Sequence, residues 1–137
     1  MKGLDSSGKV FEILVPRDED VKAAIERFIL QHGWEKAYIS GAIGSVKDVT
    51  LTTPESMDLP PQVGKTICSG PGEILSFTGE VMKIEWMDPA LKGIYRDEGP
   101  LFIHIHASLA ISGGHVYGGG FQKGSAFRSL KIYIQPQ

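Results

Sequence analysis

Residues 101–121 read LFIHIHASLAISGGHVYGGGF, and the reading of this stretch decides the fold class. Side chains of a strand alternate between its two faces with a period of two. On that period Leu101, Ile103, Ile105, Ala107 and Leu109 share one face, and Phe102, His104, His106 and Ser108 share the other. The first face is core. The second presents two imidazoles at i and i+2, pointing the same way and about 6–7 Å apart along the strand at the usual rise per residue. Gly113-Gly114 and Gly118-Gly119-Gly120 follow, and such clusters permit φ > 0 and the close approach of another backbone or a ligand. The residues alone predict an α+β domain with a histidine-lined pocket.

Upstream of this stretch, Lys9 to Val15 reads as a first strand, ended by Pro16. Asp18-Glu19-Asp20 suits the positive end of a helix, and Val21, Ile25, Phe28, Ile29 and His32 recur at the spacing of one helical face, with Gly33 as the stop. This predicts a helix over 18–32, with His32 a half-buried side chain at its C-terminus rather than a ligand. Strands are expected over Glu35–Ser45 and Val46–Thr53, a loop over Pro54–Pro61, and a short edge strand over Thr66–Ser69 before a Gly70-Pro71-Gly72 turn. Glu73 to Trp86 reads as one long strand or a bent pair with a bulge at Gly79, because the apolar parity changes along it. A polar loop is expected from Asp88 to Pro100, and downstream of the histidine strand come Val116–Phe121 and a last strand from Phe127 through Ile134. The expectation is therefore a mostly antiparallel β-sheet of seven or eight strands with one main α-helix packed on it.

A chain of 137 residues fits one domain. Residues 1–8 are expected to be a flexible tail and 9–137 the single domain. The formal net charge of −2, with basic residues scattered, argues against a strongly phosphate-binding surface. One cysteine, Cys68, cannot form an intramolecular disulfide, which fits a reducing compartment; without a secretory or membrane-spanning apolar run, a cytoplasmic protein without membrane contact is expected.

Several motifs resemble those of the PPC domain, the domain conserved in plants and prokaryotes. They are the His104-Ile105-His106 strand, the run Gly118-Gly119-Gly120-Phe121-Gln122-Lys123-Gly124, the segment Gly41-Ala42-Ile43-Gly44-Ser45, and Gly72-Glu73-Ile74-Leu75-Ser76-Phe77-Thr78-Gly79. They occur in the family's order, from about Val10 to Ile134. The resemblance implies an antiparallel sheet carrying the helix, assembling as a homotrimer. One departure matters: the family's Gly-Gly pair is commonly followed by histidine, and here that position is Gly120.

Two imidazoles on one strand face suit a metal, but zinc takes three or four protein ligands. The resemblance carries over only His104 and His106, the third ligand being the histidine replaced by Gly120; His115 and Glu73 are the alternatives within reach in sequence. Zinc is thus expected to find a degenerate site, and no cofactor is expected. The other reading of the pair is a set of hydrogen bonds within a pocket or a subunit interface. The glycine run Gly118, Gly119 and Gly120 lacks the spacing of a phosphate loop and reads as structural. Lys123 is a candidate cation for an anionic ligand at that loop or a solvated turn lysine; Asp97-Glu98 reads as a solvated pair. Ser76 and Ser125 have no evident base and orienter, so no complete catalytic set is present and an enzyme is not the first expectation.

Three functions follow in order. The first is a stand-alone, homotrimeric assembly or interaction domain with a histidine-lined pocket formed by His104, His106, Gly118, Gly119, Gly120, Glu73 and Lys123, open to a protein partner. The second is a DNA-associated regulator, since PPC domains accompany AT-hook segments in plants; this sequence has no Arg-Gly-Arg-Pro core, so DNA affinity is expected to be weak. The third is a small-molecule or metal-dependent enzyme working at a subunit interface.

Overall fold

The computed structural model describes residues 9–91 and 99–137. The expected tail over 1–8, the middle of the loop over 88–100 and the Asp97-Glu98 pair lie outside the described residues. The order is β1 (Phe11–Pro16), α1 (Val21–His32), β2 (Lys36–Pro54), β3 (Val63–Lys83), β4 (Leu101–Ala110) and β5 (Val116–Pro136), with short 3₁₀ turns at Ile84–Trp86, Pro89–Leu91 and Ser112–Gly114.

The helix forms because its ends are stopped as well as its face being apolar. Asp20 caps it, its carboxylate accepting from the Ala23 N–H at 2.8 Å, and Gly33 closes it at φ 67°, ψ 24° while its N–H bonds back to the last turn. It starts at Val21 rather than Asp18, since Asp18 sits at φ 71° outside the helix and turns its carboxylate to Lys47. Val21, Ala24, Ile25 and Ile29 are buried against the sheet.

All strand pairs are antiparallel, in the order β1-β5-β2-β3-β4, and β5 also pairs with β4. That extra pairing curls the sheet round on itself, so that β2, β3, β4 and β5 form a closed ring. The 21 residues of β5 make this possible: Val116–Gly120 run beside β4, Gly120–Pro136 beside β2, and Ser129–Ile134 also beside β1.

The described residues hold five strands, not seven or eight. Each pair of expected strands is a single bent one. β2 runs through the expected break at Ser45 and takes its irregularity as a register shift between Lys47 and Val49. β3 runs through Gly70-Pro71-Gly72, with Pro71 opposite Lys47, and ends at Lys83, so that Trp86 falls in a 3₁₀ turn. Val116–Phe121 and the last strand are likewise continuous in β5. The bulge expected at Gly79 falls instead between Ile74 and Ser76.

β4 supplies the centre of the core. Leu101, Ile103, Ile105, Ala107 and Leu109 are all buried on the inner face, beside Phe77 and Phe121, whose rings meet edge-on at 5.7 Å. Full burial of each large apolar side chain contributes about 1.5–3 kcal/mol. Among the described residues no helix is long and apolar enough to cross a membrane.

Candidate functional site

The register of three strands sets His104 and His106 among their neighbours. His104 stands opposite Glu80 of β3, which stands opposite Tyr38 of β2. His106 is opposite Thr78 on one side and Gly120 of β5 on the other. The two imidazoles lie edge to face, ring centroids 5.0 Å apart. His104 also stacks on Phe102, with centroids 5.3 Å apart and 27° between the planes, and its Nδ1 is 3.9 Å from the Glu80 carboxylate.

Gly79 allows β3 and β4 to come this close. A Cβ there would sit 2.2 Å from the His104 carbonyl oxygen and 2.9 Å from the Ile105 Cα, closer than any side chain tolerates. Its role is therefore a close backbone approach under the histidine pair, not a bulge.

The electrostatics separate the two rings. Burial pushes the His104 pKa below the ordinary histidine value, a charge on His106 adds to that, and Glu80 opposes it. His104 is thus held toward its neutral form, with a side chain 24% exposed, while His106 is exposed.

Two depressions meet at the pair. A cleft of about 250 Å³ is lined by Tyr38, Thr78, Gly79, Glu80, His104 and His106. A larger hollow of about 730 Å³ shares Thr78 and His106 with it and extends past Gly119 and Gly120 to Leu59, Pro60, Pro61 and Leu91. Gly119 takes φ 154° and lies so close to the Thr52 carbonyl oxygen that a Cβ would be 2.6 Å from it. Gly118 pairs with Ser108 and is exposed beyond the rim.

The remaining candidates lie apart. Glu73 is opposite Ala110, five residues along β3 from Thr78, and lines a different groove of about 880 Å³ with Ser45 and Arg128. Lys123 is exposed opposite Thr50 and lines neither depression at the pair. His115 is exposed just beyond the Ser112–Gly114 turn. Ser76 bonds Ser108 hydroxyl to hydroxyl at 2.6 Å.

Sequence reasoning missed Tyr38, Thr78 and Glu80. The signal for the last two was the outward alternation Thr78-Gly79-Glu80 ahead of buried Val81, hidden because the shift at Ile74/Ser76 reverses the parity inherited from Glu73. Tyr38 needed the β2–β3 register.

Among the described residues no group of three His, Cys, Asp or Glu side chains is placed to hold a metal ion. The donor set at the pair does not fit a zinc site, which takes three or four protein ligands.

A closed antiparallel sheet with one capped helix and a histidine-x-histidine strand facing a glycine run defines a class of small α+β domain. The chain belongs to the Plants and Prokaryotes Conserved (PCC) domain family, whose model matches residues 3–136. No curated protein matches the chain. Among solved structures it is similar to a plant- and prokaryote-conserved protein from Pyrococcus horikoshii, at 25% identity and TM-score 0.73, covering 94% of this chain and 78% of that one. It is also similar to a metal-containing protein from Archaeoglobus fulgidus, at 26% identity and TM-score 0.72, covering 94% and 79%. A conjectured DNA-binding protein from Bacteroides thetaiotaomicron shares the fold at 14% identity and TM-score 0.72, covering 94% and 79%.

Proposed function

We propose that the chain is a homotrimeric assembly domain whose outer sheet face is the contact between copies, with the histidine pair at the border of that contact. The observation that carries this reading is the outer face itself. Ile43, Leu75 and Val116 are 64%, 55% and 57% exposed there. Near them lie the small side chains of Ser76 and Ser108, joined by their hydroxyls, with Gly118 opposite Ser108. Small residues flatten a sheet face, and apolar ones beside them favour covering it by a second surface. Three-fold closure would bury such a face without leaving an open end for further growth.

Sedimentation equilibrium of the chain at micromolar concentration tests this. A trimer mass is expected, and Leu75→Asp with Ile43→Asp should shift it to monomer while the fold persists; a wild-type monomer removes the reading. DNA association is the second function in order, and its support is the name carried by relatives that share the fold alone. With a net charge of −2, any DNA affinity should be weak, insensitive to sequence and lost with added salt.

A further inference from the structure

The hollow beside His106 has a chemistry of its own. Its volume, about 730 Å³, falls within the range of about 300–1,000 Å³ typical of small-molecule sites. Leu59, Pro60, Pro61, Val63 and Leu91 give its lining an apolar part; His106, Thr78, Ser76, Thr52 and Thr53 give it a polar one. Its described lining contains no Asp or Glu.

The nearby charges follow the same division. Lys65 is directly opposite Thr52, a lining residue, and two positions from Val63 on the same strand face, which puts a cation at the rim. Glu55 turns away: its carboxylate lies where a Gly64 Cβ would be, and Gly64 faces opposite to Val63 and Lys65. Glu80 is in the neighbouring cleft, across Thr78. In a chain of net negative charge, this is a local concavity whose described lining offers hydrogen-bond donors and apolar surface and no acidic side chain. Imidazole donates one N–H when neutral and two when protonated, and threonine donates its O–H. A carboxylate accepts from both.

We propose that the hollow binds a small carboxylic acid as its carboxylate, with the head group at His106 and Thr78 and an aliphatic or aryl body against Leu59, Pro60, Pro61 and Leu91. This rests on the pocket reading and adds the class of ligand to it; the hollow shares Ser76 with the face proposed as the contact between copies, so the two are read out separately.

The test is a calorimetric titration of the full chain with hexanoate and, separately, with hexanol, which has the same body without the acid. Hexanoate should bind at one site per chain, with hexanol at least about tenfold weaker, since a charge-assisted hydrogen bond is worth roughly that factor or more. His106→Leu should remove the preference for the acid, and Leu91→Asp should weaken hexanoate by placing a like charge in the apolar part of the lining. Thermal unfolding of each variant checks that it is folded. Equal binding of hexanol and hexanoate, an unchanged preference in His106→Leu, or no binding of hexanoate overturns the proposal. Sedimentation on the same samples separates the two failures: a trimer that ignores hexanoate overturns only the ligand, and a monomer that binds it overturns only the assembly.

Discussion

Among the described residues histidine stacks on phenylalanine at the end of α1 and on β4, and the two places differ in what the ring atoms do. At the end of α1, His32 lies on Phe28 with centroids 4.0 Å apart, and its Nδ1 is 2.8 Å from the Phe28 carbonyl oxygen. Phe11 and Trp34 close the corner, with centroids 5.6 Å and 5.1 Å from His32. That imidazole is occupied by its own fold. On β4, His104 lies on Phe102 in a similar stack, but it and His106 open onto two depressions rather than into an aromatic corner. The same residue type on the same partner is a packing element in one region and a pocket wall in the other. What surrounds the ring, not the ring itself, separates a candidate site from a strut.

The comparison breaks first at the backbone beneath it. Gly79→Ala drives a Cβ into the His104 carbonyl, so β4 must move and stability should fall by about 3 kcal/mol or more, measured by urea unfolding. A near-silent Gly79→Ala would mean that β3 and β4 can separate without loss, and that the pair is not held rigidly. Phe28→Ala, which removes the centre of the aromatic corner, should cost about 2–3 kcal/mol because Phe28 is half-buried. His104→Ala should cost less than either, and a larger loss at His104 than at Phe28 would reverse the assignment of strut and site.

Zinc sharpens the contrast further. We expect the purified chain to carry no stoichiometric zinc; the single change Gly120→His, opposite His106, should raise zinc affinity by at least about tenfold, or about 1.4 kcal/mol. Elemental analysis showing one zinc per untreated chain would place a third ligand on a second copy. The smallest effect concerns protons. Because His104 titrates below its ordinary pKa in the fold, the unfolded chain binds more protons between the lowered value and the ordinary one of about 6.5. Stability therefore falls as pH drops through that window, and His104→Gln should flatten the slope of urea stability against pH there. An unaltered slope would show that another group carries it.

The inner face of β4 and the helix were legible because each rests on local rules. Period-two alternation selected Leu101 to Leu109, and Asp20 and Gly33 are residues whose chemistry stops a helix wherever it stands. The long strands were not legible, since glycine and proline usually punctuate. Pro71 continues a strand because β3 there pairs with β2 alone among the described residues, and proline is tolerated where one side of a strand has no ladder. Gly72 fits because its missing Cβ would be 2.7 Å from Leu109. The site was half legible for the same reason: His104 and His106 share a local parity, whereas Glu73 and Lys123 were grouped with them by nearness in motif order, and register carried them elsewhere.

β5 touches β1, β2 and β4, and it is the last of the five strands in chain order. During synthesis the earlier strands emerge with their common partner still missing. β2, β3 and β4 can pair with one another in chain order before then, but nothing closes the sheet they form. Ile13 and Val15 wait for Ile132 and Leu130, and the second edge of β4 waits for the glycines that close the ring. Folding of this domain is therefore a late event on the ribosome, slow because its decisive contacts span the length of the domain, and the unclosed sheet is the form that most needs protection from aggregation.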